Sequence, residues 1–499
     1  MIFIVSKMVS KVNMEIKRKD QKIFKKICKY LLHFCCCFII MFLLFYRRKN
    51  LKYFEIKNGR TYYNNLDMQK LAENFGTSTK IVFLDIIENQ IKTLKKCFGD
   101  AIKKVGYNGK FIYLNANKAN YSSEMVFTAF KVCDGLETSS HYDLEYTHKL
   151  TNLFDELNDK PIYANGFKTK GYLDKIVSIH KMGVKVVDIV DSMEELDYLL
   201  SKEYAIPLEI GVRINLKGLY GHDGENDSFG LSKEELIEFK KKLQNQNKLK
   251  LTTIHFHQRG FSFEEDKFYQ NITKACEKYA EFFRDFKTLT TLDIGGGTPW
   301  SYEGDFNYEE WAEKLIETLK DYFDKKQIKH PNLVIENGKY TMKDAIINLY
   351  EVIGRKKTNE SFVWALLNTS LMEAIPEYYM CGEPMKFVPV NNIDAKMEKA
   401  KLAGITCDCD DVYAEDENFV MIPEKQKEKQ IIAILGTGSY QESLTSQASV
   451  RHCLIPAEKR IVSFIQNGER KFLEVEQEQS AQNVFDLTKL NKKYLEQFS

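Results

Sequence analysis

Short apolar runs alternate with helical patterns along most of the chain after residue 66. An apolar run of about four to eight residues between turn residues is typical of a buried strand, whereas apolar residues three and four apart indicate an amphipathic helix. From residue 110 onward the alternation is regular. The predicted strands are KFIYL, GLET, PIYAN, VKVVDIV, PLEIGVRIN, LTTIHFH, TLTTLDI and NLVIE.

Helical patterns separate nearly all of these strands. Eight short strands separated by helices predict a closed (β/α)8 barrel rather than an open sheet. We place this α/β barrel at residues 110–345, a span long enough for the fold. The helical patterns are SEMVFTAFKV, YLDKIVSIHKMG, SMEELDYLLSK, KEELIEFKKKLQ, FYQNITKACEKYAEFFRDF and YEEWAEKLIETLKDYF.

The segments that flank the barrel have a different pattern. Before it, YFEIKNGRTYYN indicates two strands around an Asn-Gly turn, and the apolar run IVFLD lies between two helical stretches. After it, runs such as INLYEVIG, KQIIAILGTGSY and KRIVSFIQNGERKFLEV predict an all-β domain over residues 346–499. We expect residues 50–109 to join that β domain.

Residues 1–49 do not match the rest of the chain. A basic stretch leads into YLLHFCCCFIIMFLLFY, which three cations follow. About 17 apolar residues is the lower limit for a membrane-spanning helix, and no small-residue cleavage site follows the run. The pattern predicts an uncleaved anchor at residues 30–46 with the N-terminus in the cytoplasm. The alternative is a start codon assigned too far upstream, in which case the protein is cytoplasmic.

Composition and charge narrow the classes of function. The formal net charge is only +2, so no long-range field favours nucleic acid as a partner. Eleven cysteines are mostly scattered and form neither a disulfide framework nor a set at zinc-ligand spacing. We therefore expect reduced thiols and no metal.

The predicted strand ends carry the residues with chemistry, as expected for a barrel of this type. The first strand ends near Lys118, the sixth at His255-Phe256-His257 and the eighth at Glu336-Asn337-Gly338-Lys339. Taken singly, these residues have ordinary readings: a core histidine for His257, a helix-cap carboxylate for Glu336 and a surface lysine for Lys339.

Three glycines, Gly295-Gly296-Gly297, follow the seventh predicted strand. Glycines leave the backbone N–H groups free to approach a phosphate, and barrels bind phosphate in the loops after strands seven and eight. Lys339 would add a positive charge for the same phosphate. A tight structural turn is the alternative explanation for the glycines.

A phosphate loop, a strand-end lysine, a carboxylate and a histidine together point to pyridoxal phosphate. This cofactor needs a lysine amine for a Schiff base and a partner that keeps its ring nitrogen protonated. Lys118 supplies the amine, Glu336 the partner, and His257 a flat face against the ring.

The ordered motifs resemble those of a known family. The chain resembles the biosynthetic arginine decarboxylases, within the barrel-type pyridoxal-phosphate decarboxylases that also include the ornithine and diaminopimelate enzymes. GLETSS, NGFK and ITCDCDD are closest to the arginine branch. The matching stretches are YFEIKNGR, LAENFG, Lys118-Ala119-Asn120, DGLETSSHYDLE, YANGFKTKGYLD, GENDSFGLS, LTTIHFH, LDIGGGTPW, HPNLVIENGKYT, LNTSLMEAIPE, GITCDCDD and GSYQE.

The resemblance implies a role for each matching residue at the cofactor. Lys118 would carry pyridoxal phosphate, His257 would stack on its ring, and Glu336 would pair with the ring nitrogen. The residues implied at the phosphate are Gly295, Gly296, Gly297, Lys339 and Tyr440.

The resemblance also implies a homodimer with shared active sites. In the family a cysteine of the partner subunit completes each site, so Cys407 would protonate Cα after carbon dioxide leaves. Asp408 would meet the distal cationic group of the substrate, with help from Asp410. Carboxylates accept the N–H fork of a guanidinium bidentately, which suits L-arginine as the substrate.

The implied reaction converts L-arginine to agmatine and carbon dioxide, the entry to polyamine and spermidine biosynthesis. Ornithine, lysine or diaminopimelate are alternative substrates. An inactive regulatory relative that acts by heterodimerisation is a second class of alternative, and a racemase is a third. Such regulatory relatives usually lose the lysine or the cysteine, so the presence of Lys118 and Cys407 favours the enzyme.

Three departures from the family pattern affect the cofactor contacts. Gln258-Arg259-Gly260 stands where the family has a small residue, glycine and a phosphate-binding serine. Arg259 either replaces that serine or blocks the pocket. Lys339 stands where the family has arginine, which loses a bidentate contact. Ser228 replaces the usual lysine or arginine before Phe-Gly.

Overall fold

A computed structural model gives the fold of the protein. The predicted anchor at residues 30–46 and the Gln258-Arg259-Gly260 segment lie outside the described residues. Within them, no helix is long and apolar enough to cross a bilayer. The anchor therefore stays a prediction, which carbonate extraction of the full-length protein would test. The described residues are 51–216, 228–257, 265–358, 361–413, 419–445 and 449–499.

The first described elements form a small antiparallel sheet of three strands. Asn58 and Gly59 both have positive φ, 50° and 70°, in the tight turn that the Asn-Gly pair predicted. The Thr61 hydroxyl donates to the Val390 carbonyl at 2.8 Å, so the hairpin contacts the second domain without joining its sheet. The strands are β1 (Phe54–Lys57), β2 (Arg60–Tyr63) and β3 (Leu66–Asp67).

Two helices and one strand follow. Strand β4 enters the large sheet of the second domain, whereas helix α2 packs on the outside of the barrel. The segment 50–109, which we expected to join the β domain as a unit, is therefore divided between both. The elements are α1 (Met68–Phe75), β4 (Thr79–Phe83) and α2 (Leu84–Val105).

Eight parallel strands then close into a barrel, and each of the eight predicted strands is present. The closing pair aligns Leu333 of the last strand with Phe111 of the first. Both faces of these strands are covered, which explains their nearly continuous apolar runs. The strands are β5 (Phe111–Ala116), β6 (Gly135–Thr138), β7 (Ile162–Ala164), β8 (Val186–Val190), β9 (Leu208–Arg213), β10 (Leu249–His255), β11 (Thr291–Asp293) and β12 (Asn332–Asn337).

Helices between the strands cover the barrel, and one of them was not predicted. Helix α4 buries Asp143 and Thr147 together with Leu144 and Leu150, so its inner face lacks a clear apolar stripe. The helices are α3 (Ser123–Val132), α4 (His141–Leu153), α5 (Lys170–Lys181), α6 (Met193–Leu200), α7 (Lys233–Leu243), α8 (Glu265–Asp285) and α9 (Tyr308–Lys326).

The C-terminal domain is built on a ten-stranded sheet that includes β4. Its strands are β13 (Ile346–Lys357), β14 (Val363–Leu367), β15 (Lys386–Pro389), β16 (Met397–Ala403), β17 (Val412–Tyr413), β18 (Val420–Pro423), β19 (Ile431–Leu435), β20 (Lys459–Gln466) and β21 (Glu469–Glu476). Short helices accompany the predicted β domain: α10 (Lys339–Met342), α11 (Leu371–Ala374), α12 (Pro376–Cys381), α13 (Glu442–Thr445), α14 (Ala481–Leu487) and α15 (Lys492–Leu495).

One hydrophobic core joins the barrel to the sheet. It runs from the barrel helices through Ile81 of β4 to Ile461 of β20. A second core lies within the C-terminal domain and includes Tyr350 and Leu402. The barrel mouth and the C-terminal sheet are therefore held in a fixed relation by burial.

Candidate active site

Lys118 is presented by a short turn at the end of β5. Strand β5 passes into a 3-10 turn at Asn117–Ala119. The buried amide of Asn117 donates to Asp143 Oδ1 and Thr147 Oγ1, both at 3.0 Å. Because its neighbours are fixed in the core, Lys118 is directed to the barrel mouth, where 37% of its side chain is exposed.

A buried carboxylate faces the Lys118 amine. Glu137 is the next-to-last residue of β6, opposite Ala116, and its Oε2 lies 3.3 Å from Lys118 Nζ. Burial lowers the pKa of Lys118, but the charges of Glu137 and Glu336 raise it by more. The free amine is therefore held in the charged form, paired with Glu137.

Glu336 lies buried in β12 on the same barrel end. Its Oε1 accepts a hydrogen bond from Asn165 Nδ2 at 2.6 Å and lies 3.5 Å from His255 Nε2. Burial raises the pKa of Glu336, but His255 and Lys118 lower it by more. Glu336 is therefore an ionised acceptor inside the barrel.

Asp293 completes a buried polar cluster with His255 and Glu336, whose nearest ligand atoms all lie within 4.8 Å of one another. Burial and the charge of Glu336 raise the pKa of Asp293 well above its ordinary value. Glu336 Oε2 and Asp293 Oδ2 are both without a hydrogen-bond donor among the described residues. Both ring nitrogens of His255 are also without a hydrogen-bond partner among the described residues, so His255 and a proton on Asp293 are the donors that the cluster itself holds.

The triple-glycine loop follows β11 beside this cluster. Gly295 and Gly297 have φ of 68° and 105°, which favour glycine. A Cβ on Gly295 would lie 2.8 Å from the Phe256 carbonyl oxygen, and one on Gly296 would lie 2.8 Å from the Glu336 carbonyl oxygen. The loop therefore needs glycine for its conformation and its close packing, as expected for a backbone phosphate site.

His257 lies half-buried against the glycine loop. Its Nε2 is 3.3 Å from the position that a Cβ on Gly296 would occupy. Burial lowers the pKa of His257 to about 4, against the opposing effect of Glu336. The imidazole is therefore neutral at neutral pH and offers the flat face that the sequence predicted.

Tyr440 reaches the Lys118 turn from the C-terminal domain. Its backbone N–H donates to the Ala119 carbonyl at 2.8 Å. Its hydroxyl lies 3.2 Å from the position that a Cβ on Gly338 would occupy. The loop after β19 is thus part of the barrel mouth, and a phosphate contact from Tyr440 stays a prediction.

Lys339 is engaged by carboxylates of the C-terminal domain. Its Nζ lies 2.8 Å from Glu383 Oε1 and 3.2 Å from Glu377 Oε1. Burial lowers the pKa of Lys339, but these two carboxylates raise it by more. These partners lie about 40 residues later in the chain, and no motif in the sequence pointed to them. The predicted phosphate contact of Lys339 stays untested.

The loop with Cys407 is anchored by the buried Asp411. Asp411 Oδ2 accepts from Thr406 Oγ1 at 2.7 Å, and its Oδ1 accepts from Ser370 Oγ at 3.2 Å. Cys407 itself is exposed. Among the described residues, no hydrogen bond or ion pair joins this loop to Lys118. For the three predicted partner residues, Cys407, Asp408 and Asp410, the described residues thus show no polar contact with Lys118 of the same chain.

Two contacts set the surroundings of Cys407. Its Sγ lies 3.8 Å from Cys453 Sγ, and the neighbouring thiol raises the pKa of Cys407. Asp408 Oδ2 lies 3.3 Å from His452 Nε2. Cys407 is therefore held protonated, the form in which a thiol is able to donate a proton.

The profile of a known protein family matches the part of the chain that forms the barrel and its site. The profile of the pyridoxal-dependent decarboxylase, pyridoxal binding domain, matches residues 84–343. The chain belongs to this family. Its pyridoxal-binding part is the barrel described above, together with α2.

Individual relatives of this chain are distant. The arginine decarboxylase of Avena sativa is 24% identical over 459 residues, which cover 73% of this chain and 74% of the relative. The biosynthetic arginine decarboxylase of Bacteroides thetaiotaomicron is 28% identical over 293 residues. That match covers 54% of this chain and 46% of the relative, so the chain spans less than half of the bacterial protein.

Solved structures share the fold of this family member. The biosynthetic arginine decarboxylase SpeA from Campylobacter jejuni superposes with a TM-score of 0.77 at 19% identity, covering 89% of this chain and 90% of that one. A diaminopimelate decarboxylase from M. jannaschi gives 0.72 at 22% identity, covering 87% and 97%. Barrel and β domain therefore occur together in both.

The site residues fit the family's cofactor, pyridoxal phosphate. Glu336 Oε2 is a buried acceptor without a hydrogen-bond donor among the described residues, and a protonated ring nitrogen would supply one. A side chain has no room at Gly295 or Gly296. The Gly295 N–H donates to Asp293 Oδ1 at 2.9 Å, so the loop would offer a phosphate the N–H groups of Gly296 and Gly297. Lys118 lies close enough to Glu336 for each charge to shift the pKa of the other.

Glu137 and Asn165 were not among the predicted site residues. Glu137 is a charged residue in the buried strand GLET, and Asn165 directly follows β7. Both satisfy the strand-end rule that identified Lys118 and Glu336, so applying that rule to β6 and β7 would have found them.

Proposed function

We propose that this protein decarboxylates an amino acid with pyridoxal phosphate, and that its substrate is L-arginine, giving agmatine and carbon dioxide. The observation that carries the proposal is the position of Lys118 between Glu137 and Glu336 at the mouth of the barrel. Relatives called arginine decarboxylases support the choice of substrate.

Pyridoxal phosphate, when bound, draws electrons from the bonds of the substrate Cα. The residues of this chain would hold and orient it. Lys118 would hold the cofactor covalently, and Glu137, whose Oε2 lies 3.3 Å from Lys118 Nζ, would orient the amine. Glu336 would keep the ring nitrogen protonated, because an ionised carboxylate stabilises a positive charge at that position.

The backbone and side chains around the ring would fix its direction. The N–H groups of Gly296 and Gly297 would bind the phosphate, while that of Gly295 donates to Asp293, and the neutral ring of His257 would lie against the pyridine face. Asn165 holds Glu336 in place through its hydrogen bond at 2.6 Å. These contacts bear on which Cα bond is placed perpendicular to the ring and is broken.

We also propose that the site is completed by Cys407, Asp408 and Asp410 of the partner subunit in a homodimer. Cys407 would protonate Cα once carbon dioxide has left, and the acidic pair would bind the guanidinium group. Exposure of Cys407 on its own chain and its raised pKa support this arrangement.

A mixing experiment tests the shared site. Lys118→Ala and Cys407→Ala homodimers are each expected to be inactive. After subunit exchange, half of the dimers are mixed and hold one intact site of two, so about one quarter of the wild-type activity should return. If no activity returns although subunits exchange, each chain forms its own site.

The substrate is tested with the full-length protein. Carbon dioxide release is measured from L-arginine, ornithine, lysine and diaminopimelate, with Lys118→Ala as the control. Arginine should give the highest kcat/KM. Preference for another of the four amino acids would overturn the substrate assignment, and no release from any of them would favour the regulatory alternative.

A further inference from the structure

Glu442, two residues after Tyr440, is a buried carboxylate that contacts the segment carrying Lys118. Its Oε2 accepts hydrogen bonds from Asn120 Nδ2 at 3.0 Å and from Ser122 Oγ at 3.3 Å. Asn120 and Ser122 follow Lys118 by two and four residues. Glu442 therefore binds the far side of the turn that presents the amine.

The other oxygen of Glu442 is bound by cations of the C-terminal sheet. Lys80 Nζ of β4 donates to Oε1 at 3.1 Å, and Arg460 Nη1 of β20 donates to the same atom. Arg460 Nη2 also donates to Ser122 Oγ at 2.8 Å. Burial raises the pKa of Glu442, but Arg460 and Lys80 lower it by more, so the carboxylate is charged.

The loop that holds Tyr440 is attached at the same place. Asn120 Nδ2 donates to the Gly438 carbonyl at 3.0 Å, and the Tyr440 N–H donates to Ala119. Tyr440 has φ of 56°, which a residue other than glycine adopts only when its surroundings hold it there. The Lys118 turn and the Tyr440 loop are thus fixed to each other and to the sheet through Glu442.

We propose that Glu442 is a positioning residue for Lys118, because its carboxylate fixes the Lys118 turn and the Tyr440 loop to strands β4 and β20. This inference rests on the proposed function, which gives the Lys118 amine its task. Glu442 acts through Asn120 and Ser122 and does not itself reach the cofactor.

Glu458 of the same ion network provides a matched control. It lies 3.6 Å from Lys80 and 2.8 Å from Arg451, and it accepts a hydrogen bond from the Tyr350 hydroxyl. It is as buried as Glu442, and its described hydrogen bonds and ion pairs include none to residues 117–122. Loss of Glu458 should therefore weaken the fold without redirecting Lys118.

The experiment compares full-length Glu442→Gln and Glu458→Gln. Three quantities are measured: the urea midpoint of unfolding, the dissociation constant of pyridoxal phosphate, and the visible circular dichroism of the bound cofactor. Both variants should lower the urea midpoint. Only Glu442→Gln should weaken cofactor binding, by about ten-fold or more, and reduce the visible signal, because a small displacement of Lys118 changes the orientation of the ring.

Equal cofactor affinity and equal dichroism in the two variants would overturn the inference. If Glu442→Gln does not fold, Asn120→Ala decides, because it removes the hydrogen bonds of Asn120 to Glu442 and to the Gly438 carbonyl and leaves Lys80 and Arg460 on Glu442. It should reduce the visible dichroism in the same direction, and an unchanged signal would refute the role. A wild-type protein that takes up no pyridoxal phosphate would instead contradict the proposed function, and this inference with it.

Discussion

Replacing Lys168 by methionine tests how much a buried cation stabilises the barrel near Asn165, the residue that donates to Glu336. The Lys168 side chain is completely buried, with its Nζ 2.8 Å from Glu195 Oε1 and 3.1 Å from Asp188 Oδ1. Burial lowers the pKa of Lys168, but the two carboxylates raise it by more. The ammonium is therefore charged and neutralises acidic groups inside the protein.

The expected loss of stability follows from this burial. Methionine fills nearly the same volume, so the main effect of Lys168→Met is to leave Asp188 and Glu195 without their cation. Breaking a buried ion pair costs about 3–5 kcal/mol. The barrel at residues 110–345 falls in the size range where 1 kcal/mol shifts the Tm by about 2–4 °C, so the loss corresponds to a fall in Tm of roughly 6–20 °C.

The same segment contains a control. Lys170, two residues later, is exposed and pairs with Asp174 at 3.1 Å one turn along α5. Such surface pairs contribute about 0.3–0.5 kcal/mol, so Lys170→Met should hardly change the Tm. Differential scanning calorimetry compares the two variants. A Lys168→Met protein as stable as Lys170→Met would refute the view that a buried charge supports this part of the barrel.

Three further predictions concern other parts of the chain. Cys453→Ala should lower the pKa of Cys407, since the neighbouring thiol raises it; the pH dependence of Cys407 alkylation measures this, and an unchanged profile would contradict it. Lys80 and Arg451 outweigh burial and lower the pKa of Glu458 from 4.5 to about 2. The ionised carboxylate therefore adds on the order of 3 kcal/mol to the free energy of unfolding above pH 4.5, and this stabilisation is lost as the pH falls toward 2. Acid unfolding of Glu458→Gln should accordingly be flatter across that window than in the wild type. Gly296→Ala places a Cβ 2.8 Å from a backbone oxygen and should destabilise the protein by about 1–3 kcal/mol. Gly99 lies in open space within α2, so Gly99→Ala should stabilise the protein by about 0.5–1 kcal/mol. Urea unfolding of both variants measures the difference.

The barrel was predictable because its strands are short apolar runs with polar helices between them. Burial of a parallel strand on both faces leaves a pattern that the sequence shows directly. Helix α4 was missed because buried Asp143 and Thr147 interrupt its apolar face. The division of residues 50–109 was missed because the pairing of β4 with β13 and β20 depends on contacts far apart in the chain.

The strand-end rule located most of the candidate site. It placed Lys118, His257 and Glu336 at one barrel end. In the structure, Lys118 and His257 lie near enough to Glu336 to lower its pKa. The rule also placed Lys339 at this end, but it did not predict that the Lys339 ammonium contacts carboxylates of the C-terminal domain. Charged residues look alike in a sequence whether they are solvated or buried, so partners such as those of Glu442 emerge only from three-dimensional contacts.

Covalent attachment of the cofactor to Lys118 is the most direct test of the central claim. The full-length protein is incubated with pyridoxal phosphate, reduced with borohydride to fix any cofactor bound to a lysine, digested and examined by mass spectrometry. The account predicts a label on the peptide that contains Lys118, and none at that position in Lys118→Ala. A label on a different lysine, or no label in the wild type, would contradict it.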